Sequence, residues 1–139
     1  MTSRLLLLPV LIIGFATTSA FGQDDLPPIV TAVKDQLADP AKPFTMFVRI
    51  PVKAGQEKAF ESAFAVARGK TRKEPGCLTY ELTKLAGEKP IYVVYERWKN
   101  LDALIVHAKS PYITTLLNQL PQFADGGPEL QVGVPAAEE

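Results

Sequence analysis

The stretch EPGCLTYEL, residues 74–82, marks the point at which a helical pattern gives way to a strand pattern. Before it, residues 56–73 repeat apolar side chains at helical spacing, with acidic residues toward the start and basic residues at the end. That order complements the dipole of a helix. Glu-Pro-Gly ends the helix, because the residue before proline avoids the α region and glycine turns freely. The residues that follow alternate as in a strand, which predicts that one face carries Leu78, Tyr80 and Leu82.

The periodicity continues on both sides of this unit. The predicted elements are strands at residues 44–52, 77–85, 91–98 and 129–134, a helix at residues 56–73, a short helix capped by Asn100, and a helix that starts at Ser110-Pro111 and ends at Pro121. Two βαβ halves in this order predict an α+β fold, a ferredoxin-like βαββαβ sandwich with its helices on one face of the sheet. The strand at residues 91–98 is apolar on both faces, so a second subunit is expected to cover the other face.

Composition and charge exclude several classes of function. The chain has 139 residues with 15 basic and 15 acidic side chains, a formal net charge of zero, so no global field favours nucleic acid. One Cys excludes a disulfide framework and a thiolate metal cluster, and one His argues against a metal site built from histidines. The sequence contains no GxGxxG, GxxxxGK[ST] or HExxH motif, so we predict neither a bound metal nor a nucleotide cofactor.

The first residues have the pattern of a secretory signal peptide. Arg4 precedes the uncharged run LLLLPVLIIGFA at residues 5–16, and small and polar residues follow, with cleavage predicted after Ala20 or Gly22. The run is shorter than the roughly 20 apolar residues of a membrane-spanning helix. We therefore expect an exported protein, periplasmic or secreted, without membrane contact after cleavage; an uncleaved anchor is the alternative.

A proline-punctuated extension follows the predicted signal peptide. Its apolar side chains share one face of a short amphipathic helix: Ile29, Val30, Val33 and Leu37. Whether this helix docks on the domain or a partner, or belongs to a mobile leader, is left open by the spacing. The predicted division is a signal peptide at residues 1–22, an extension with a short helix at residues 23–43, a domain at residues 44–135 and a tail at residues 136–139.

Two motifs resemble the signatures of one protein family. Residues 74–82 resemble the EPGCLxYEL segment of the antibiotic biosynthesis monooxygenase (ABM) family. A second set of residues is similar to another signature of the same family: YERW at residues 95–98, followed by Ala103-Leu104, His107 and Ser110-Pro111-Tyr112. The resemblance covers about residues 44–134 and implies a dimeric α+β barrel, a homodimer in which each subunit keeps a pocket between sheet and helices. The oxygenases of this family use neither metal nor flavin and act on electron-rich phenols, quinols and polycyclic aromatic ketones.

The chemistry that the resemblance implies agrees with the missing cofactor motifs. A quinol that loses a proton can pass an electron to O2, so the protein has to supply an apolar pocket, a proton acceptor and polar groups that hold the anion. We therefore predict a cofactor-independent monooxygenase of quinol- or phenol-type aromatic substrates that uses O2. The alternative is a non-enzymatic module of the same fold, one that binds a small ligand or has a structural role. Haem breakdown is not predicted, because Val48 stands where the haem-degrading members carry Asn.

His107 is the predicted catalytic base, since imidazole titrates near neutral pH and the family motif places its helix near the pocket. A structural His at the helix end is the alternative. Tyr80 is the second predicted catalytic residue, because its hydroxyl could orient a substrate oxygen, and Trp98 is a predicted aromatic wall. Plain core or interface packing is the alternative for both aromatic residues.

Glu96 and Arg49 complete the predicted substrate-binding set. A carboxylate on a strand with two apolar faces needs a partner. Arg49 or Arg97 is expected to supply it, within the chain or across the dimer. A structural ion pair is the alternative to a role for Glu96 in acid–base chemistry.

Overall fold

The structure, a computed structural model, describes residues 26–136. The predicted signal peptide, residues 23–25 of the extension and residues 137–139 of the tail lie outside the described residues. Within the described range the elements are α1 (Pro28–Lys34), β1 (Phe44–Pro51), α2 (Glu57–Thr71), β2 (Cys77–Lys84), β3 (Ile91–Trp98), α3 (Leu101–Ala108), α4 (Pro111–Phe123) and β4 (Glu129–Gly133). None of the helices described is long and apolar enough to cross a membrane.

The four strands form one antiparallel sheet in the order β2-β3-β1-β4. β1 lies inside the sheet and pairs with β3 from Phe44 opposite Trp98 to Pro51 opposite Ile91. Its alternate side chains Met46, Val48 and Ile50 are buried on the face that the helices cover. The order of strands and helices confirms the predicted α+β, ferredoxin-like fold.

A β-bulge in β2 changes which side chains face the helices. The register shifts between Cys77 and Thr79, and Leu78 is 49% exposed. The prediction that Leu78 shares a face with Tyr80 is therefore wrong, because a bulge inserts a residue that simple alternation cannot reveal. Beyond the bulge Tyr80 lies opposite Glu96, which brings both side chains to the helix-covered face.

Gly76 is required by the close approach of α3 to the turn before β2. A Cβ atom at this position would lie 2.2 Å from the Cβ of Ala103, closer than two carbon atoms can pack. The turn that ends α2 therefore also fixes the position of α3. The amide of Lys99 donates to the carbonyl oxygen of Gly76 at 2.9 Å and holds the end of β3 against the same turn.

The starts of α3 and α4 lie where the sequence predicts them, but the end of α4 does not. The side chain of Asn100 caps α3 by accepting a hydrogen bond from the amide of Ala103 at 3.0 Å, as predicted. Ser110 stands at the N-cap position of α4, but its hydroxyl donates to the carbonyl of His107 instead. The prediction that Pro121 ends α4 is wrong: the helix continues to Phe123, because a proline in the last turn removes only one hydrogen bond.

α1 packs against the domain. Val30 and Val33 are fully buried, and the amide of Leu101 donates to the carbonyl of Pro40 at 2.9 Å. The extension thus contacts the start of α3. Of the alternatives given above, the structure shows the helix that docks on the domain.

The outer face of the sheet carries aromatic and charged side chains. Phe47 is 39% exposed and its ring centroid lies 5.3 Å from that of Tyr95. Arg49 forms an ion pair with Glu129 at 3.0 Å on the same face. The predicted pairing of this face with a second subunit stays a prediction.

Candidate active site

An apolar cavity of about 80 Å³ lies between the sheet and the helices. It is lined by Ile29, Val48, Ile50, Phe60, Phe64, Tyr80, Val94, Glu96, Leu104, His107, Ala108, Ile113, Leu116, Leu117, Leu120 and Pro128. Three of these side chains carry polar groups, namely Tyr80, Glu96 and His107. Because one water molecule needs about 10–15 Å³ measured in the same way, the cavity has room for a small ligand.

His107 places one ring nitrogen beside a carboxylate and also lines the cavity. It lies in the last turn of α3 and is 4% exposed. Its Nδ1 is 3.0 Å from Oε1 of Glu74, a residue of the turn between α2 and β2. A proton on Nδ1 donated to this carboxylate leaves Nε2 as a proton acceptor. Nε2 has no hydrogen-bond partner within residues 26–136, so it is free to accept from a ligand.

Glu74 is held by a second donor. The hydroxyl of Tyr112, at the start of α4, donates to the same Oε1. The other oxygen, Oε2, is buried and lacks a partner in the described part of the chain. Burial lowers the pKa of His107, and the hydrogen bond and charge of Glu74 act in the opposite direction. The imidazole is therefore neutral near pH 7, the protonation state that a general base needs.

Glu96 is a buried carboxyl group with an unusual proton affinity. It is 5% exposed, and its Oε2 accepts a hydrogen bond from the indole Nε1 of Trp98 at 2.9 Å. Burial raises the pKa of Glu96 to about 7; the hydrogen bond from Trp98 opposes this rise, and the charge of Glu74 adds to it. Near neutral pH the group is present in both protonation states, so it can either donate or accept a hydrogen bond.

Aromatic rings fix these groups in place. The ring of Tyr80 stacks on Phe64 with centroids 5.3 Å apart, and Trp98 lies 4.5 Å from the His107 ring. Burial raises the pKa of Tyr80 well above its usual value, so its hydroxyl stays protonated and acts as a donor. Trp98 is fully buried behind Glu96 and His107 and does not itself line the cavity.

The structure brings four of the five predicted site residues together: His107, Tyr80, Trp98 and Glu96. Arg49 is apart from them, on the outer face of the sheet in its ion pair with Glu129. The expected pairing of Glu96 with an arginine of its own chain is wrong, because its partner is Trp98. Arg97 follows Glu96 directly on β3, and successive residues of a strand point to opposite faces.

Sequence analysis missed the roles of Glu74 and Tyr112. Glu74 lies 33 residues before His107, and Tyr112 lies 38 residues after Glu74. Both residues belong to the two quoted motifs, but the local sequence around Glu74 indicates only the end of a helix. Among residues 26–136, no group of three His, Cys, Asp or Glu side chains is arranged to hold a metal ion.

Comparison with known proteins gives a family and several similar structures. The family model described as antibiotic biosynthesis monooxygenase matches residues 43–118. A Caulobacter crescentus protein, described as a candidate antibiotic biosynthesis monooxygenase, has 26% identity and a TM-score of 0.66, with 72% of this chain and 94% of that chain covered. SnoaB from Streptomyces nogalater, described as a cofactor-independent oxygenase, has 21% identity and a TM-score of 0.61, with 70% and 97% covered.

A curated relative also matches part of this chain. The uncharacterized protein sll1783 of Synechocystis sp. is 24% identical over 90 residues, which is 65% of this chain. The match spans 61% of the length of that relative.

Proposed function

The chain belongs to the antibiotic biosynthesis monooxygenase family, because the family model matches more than half of it, and we propose that it is a cofactor-independent monooxygenase of quinol- or phenol-type substrates. The observation that carries the proposal is the Glu74–His107 pair at the wall of an apolar cavity. SnoaB, which shares the fold, is described as a cofactor-independent oxygenase.

The first step is removal of a proton from a hydroxyl group of the substrate. Nε2 of His107 accepts it, and the carboxylate of Glu74 stabilises the imidazolium that forms. An apolar cavity strengthens this interaction, because the effective dielectric constant is low there. Glu74 is a positioning residue in this step, since it holds the imidazole tautomer that leaves Nε2 free.

The second step uses O2 as the oxidant, and the electrons come from the substrate. A deprotonated quinol transfers one electron to O2, and the resulting radicals combine to form a bond between a ring carbon and oxygen. The imidazolium of His107 returns its proton to the peroxide, and loss of the ring hydrogen with cleavage of the O–O bond releases water. One quinol and one O2 thus give one hydroxyquinone and one water, so atoms and electrons balance without another reductant.

Glu96 and Tyr80 hold the oxygen atoms of the substrate in this scheme. Both line the cavity, and both can donate a hydrogen bond near neutral pH, Tyr80 because its pKa is raised and Glu96 because its pKa is about 7. Donors placed where negative charge develops lower the barrier for forming the anion. The role assigned to Trp98 is to orient Glu96 through the indole hydrogen bond.

Incubation with a panel of quinols under ¹⁸O2 tests the proposal. We expect a product that carries one labelled oxygen and labelled water as the second product. The spontaneous reaction is measured with heat-denatured protein and subtracted. Binding of a quinol without a labelled product would show a binding module instead, and neither binding nor product would refute both candidate functions.

We also propose that the chain is a homodimer joined through the outer face of its sheet. The support is the pair of aromatic rings on that face, Phe47 and Tyr95, which pack together while Phe47 stays 39% exposed. Light scattering after size-exclusion chromatography should give twice the chain mass for the wild type. Phe47→Glu should give the monomer mass, whereas an unchanged mass would place the interface elsewhere.

Export through a signal peptide at residues 1–22 is a further proposal, supported by the sequence pattern alone. The N-terminus of the protein isolated from the periplasm or medium should be Phe21 or Gln23. A protein that retains Met1 and stays inside the cell would contradict export.

A further inference from the structure

α1 lies outside the residues that the family model matches. The family match begins at residue 43, whereas α1 spans Pro28–Lys34. The Caulobacter and Streptomyces structures are covered over 94% and 97% of their own lengths, but cover only 72% and 70% of this chain. The family match therefore says nothing about what α1 does.

α1 is fixed to the domain by apolar contacts. Val30 and Val33 are fully buried, and Leu37 packs against the same core. The segment after α1 is fixed as well, because the carbonyl of Pro40 accepts a hydrogen bond from the amide of Leu101, the first residue of α3. Since α3 also carries His107, the extension and the candidate base are anchored on one helix.

Ile29 is the residue through which α1 reaches the candidate site. It lines the cavity and is only partly buried, as is Leu120. Leu117 is 42% exposed and Pro128 is exposed, although both line the same cavity. Glu96 and His107, at 5% and 4% exposure, lie at its deep end. The exposed and partly exposed residues therefore mark the mouth of the cavity, and Ile29 is the residue that the extension contributes to this mouth.

We infer that α1 is a size filter: Ile29 narrows the mouth of the cavity and restricts the ligand to a single aromatic ring. The inference rests on the proposed function, because it concerns the ligand of the same site. The cavity volume of about 80 Å³ is well below the roughly 300–1,000 Å³ of pockets for drug-sized ligands, which favours a small, single-ring ligand over a larger one. Because Val30 and Val33 are buried, α1 cannot move aside without exposing them to water.

Calorimetric titration without O2 tests the filter, because binding is then measured in the absence of turnover. The ligands are a benzenediol, with one ring, and a naphthalenediol, with two. We expect the wild type to bind the benzenediol at least about tenfold more tightly than the naphthalenediol. A tenfold ratio corresponds to about one extra apolar group that does not fit the cavity. Ile29→Ala should bring the two affinities within about threefold of each other, and Ile29→Trp should weaken both.

Thr31→Ala is the matched control, because Thr31 is an exposed residue of the same helix. It should retain the selectivity of the wild type. Circular dichroism melts verify that each variant is folded; should Ile29→Ala unfold, Ile29→Val is expected to shift the selectivity in the same direction by a smaller factor. Equal selectivity in the wild type and in folded Ile29 variants would overturn the filter and leave the proposed function intact. A wild type that binds neither ligand would overturn both.

Discussion

Replacing Glu96 with glutamine is expected to change how the stability of the fold depends on pH. Burial raises the pKa of Glu96 from 4.5 to about 7. A carboxyl group whose pKa is higher in the folded state binds its proton more tightly there than in the unfolded chain. The contribution of Glu96 to the free energy of unfolding therefore falls as the pH rises from about 4.5 to about 7, and it stays lowered above pH 7.

The size of this effect follows from the difference between the two pKa values of Glu96. At about 1.4 kcal/mol for each pKa unit, the rise from 4.5 to about 7 corresponds to on the order of 3 kcal/mol. The glutamine side chain has no proton to lose, and its amide oxygen can still accept the hydrogen bond from Trp98. The free energy of unfolding of Glu96→Gln, relative to that of the wild type, should thus rise by on the order of 3 kcal/mol as the pH increases from about 4.5 to about 8.

His107 contributes with the opposite sign. Burial lowers its pKa, so protonation below its ordinary value of 6.5 favours the unfolded chain, and its contribution to stability rises with pH. Both proteins contain His107, so its contribution cancels in the difference between variant and wild type. That difference therefore isolates the contribution of Glu96.

Urea unfolding at several pH values, followed by the fluorescence of Trp98, measures the difference. Trp98 is the only tryptophan of the chain and is fully buried, so its emission reports unfolding directly. Glu88→Gln is the control, because Glu88 lies exposed in the loop between β2 and β3. The reasoning is refuted when Glu96→Gln and Glu88→Gln show the same pH dependence, or when the gain of Glu96→Gln is largest at low pH.

Two further substitutions test the positioning of His107 and the turn at Gly76. Glu74→Gln should lower kcat by roughly ten- to a hundredfold, part of the roughly 10²–10⁴ that a positioned base supplies, and should also lower the apparent pKa on the acid side of the rate profile. An unchanged profile would assign Glu74 to structure alone. Gly76→Ala should cost on the order of 1–3 kcal/mol of stability by denaturant unfolding, because its Cβ would overlap that of Ala103. The double variant with Ala103→Gly should recover most of that loss, and failure of this rescue would show that the contact is not the cause.

Much of the fold could be predicted from local patterns. The strand at residues 91–98 has the bounds predicted, and Asn100 caps α3 as its residue type suggests. The bulge at Leu78 could not be predicted, since its only trace is a register shift against β3. The continuation of α4 past Pro121 depends on tertiary contacts as well, because Lys53 donates to the carbonyl of Pro121 at 3.0 Å.

The candidate site was less accessible to sequence analysis. The Glu74–His107 contact joins residues 33 apart, and nothing local to either residue indicates the other. The Glu96–Trp98 hydrogen bond had a usable signal, because residues two apart on a strand share a face. By the same rule Arg97 points to the opposite face from Glu96, so alternation alone excludes a pairing of these two side chains within the strand. Alternation along β1 also places Arg49 on the face opposite Val48 and Ile50, whereas its ion-pair partner depends on the pairing of β1 with β4, which brings Glu129 opposite it.

The most direct measurement of the central claim is the initial rate of O2 uptake with a single-ring quinol, compared between the wild type and His107→Ala. The spontaneous rate without protein is subtracted, and circular dichroism verifies that the variant is folded. We predict uptake by the wild type that exceeds the spontaneous rate, and a loss of roughly 10²- to 10⁴-fold in His107→Ala. Equal rates in the two proteins would contradict the assignment of His107 as the base at this cavity.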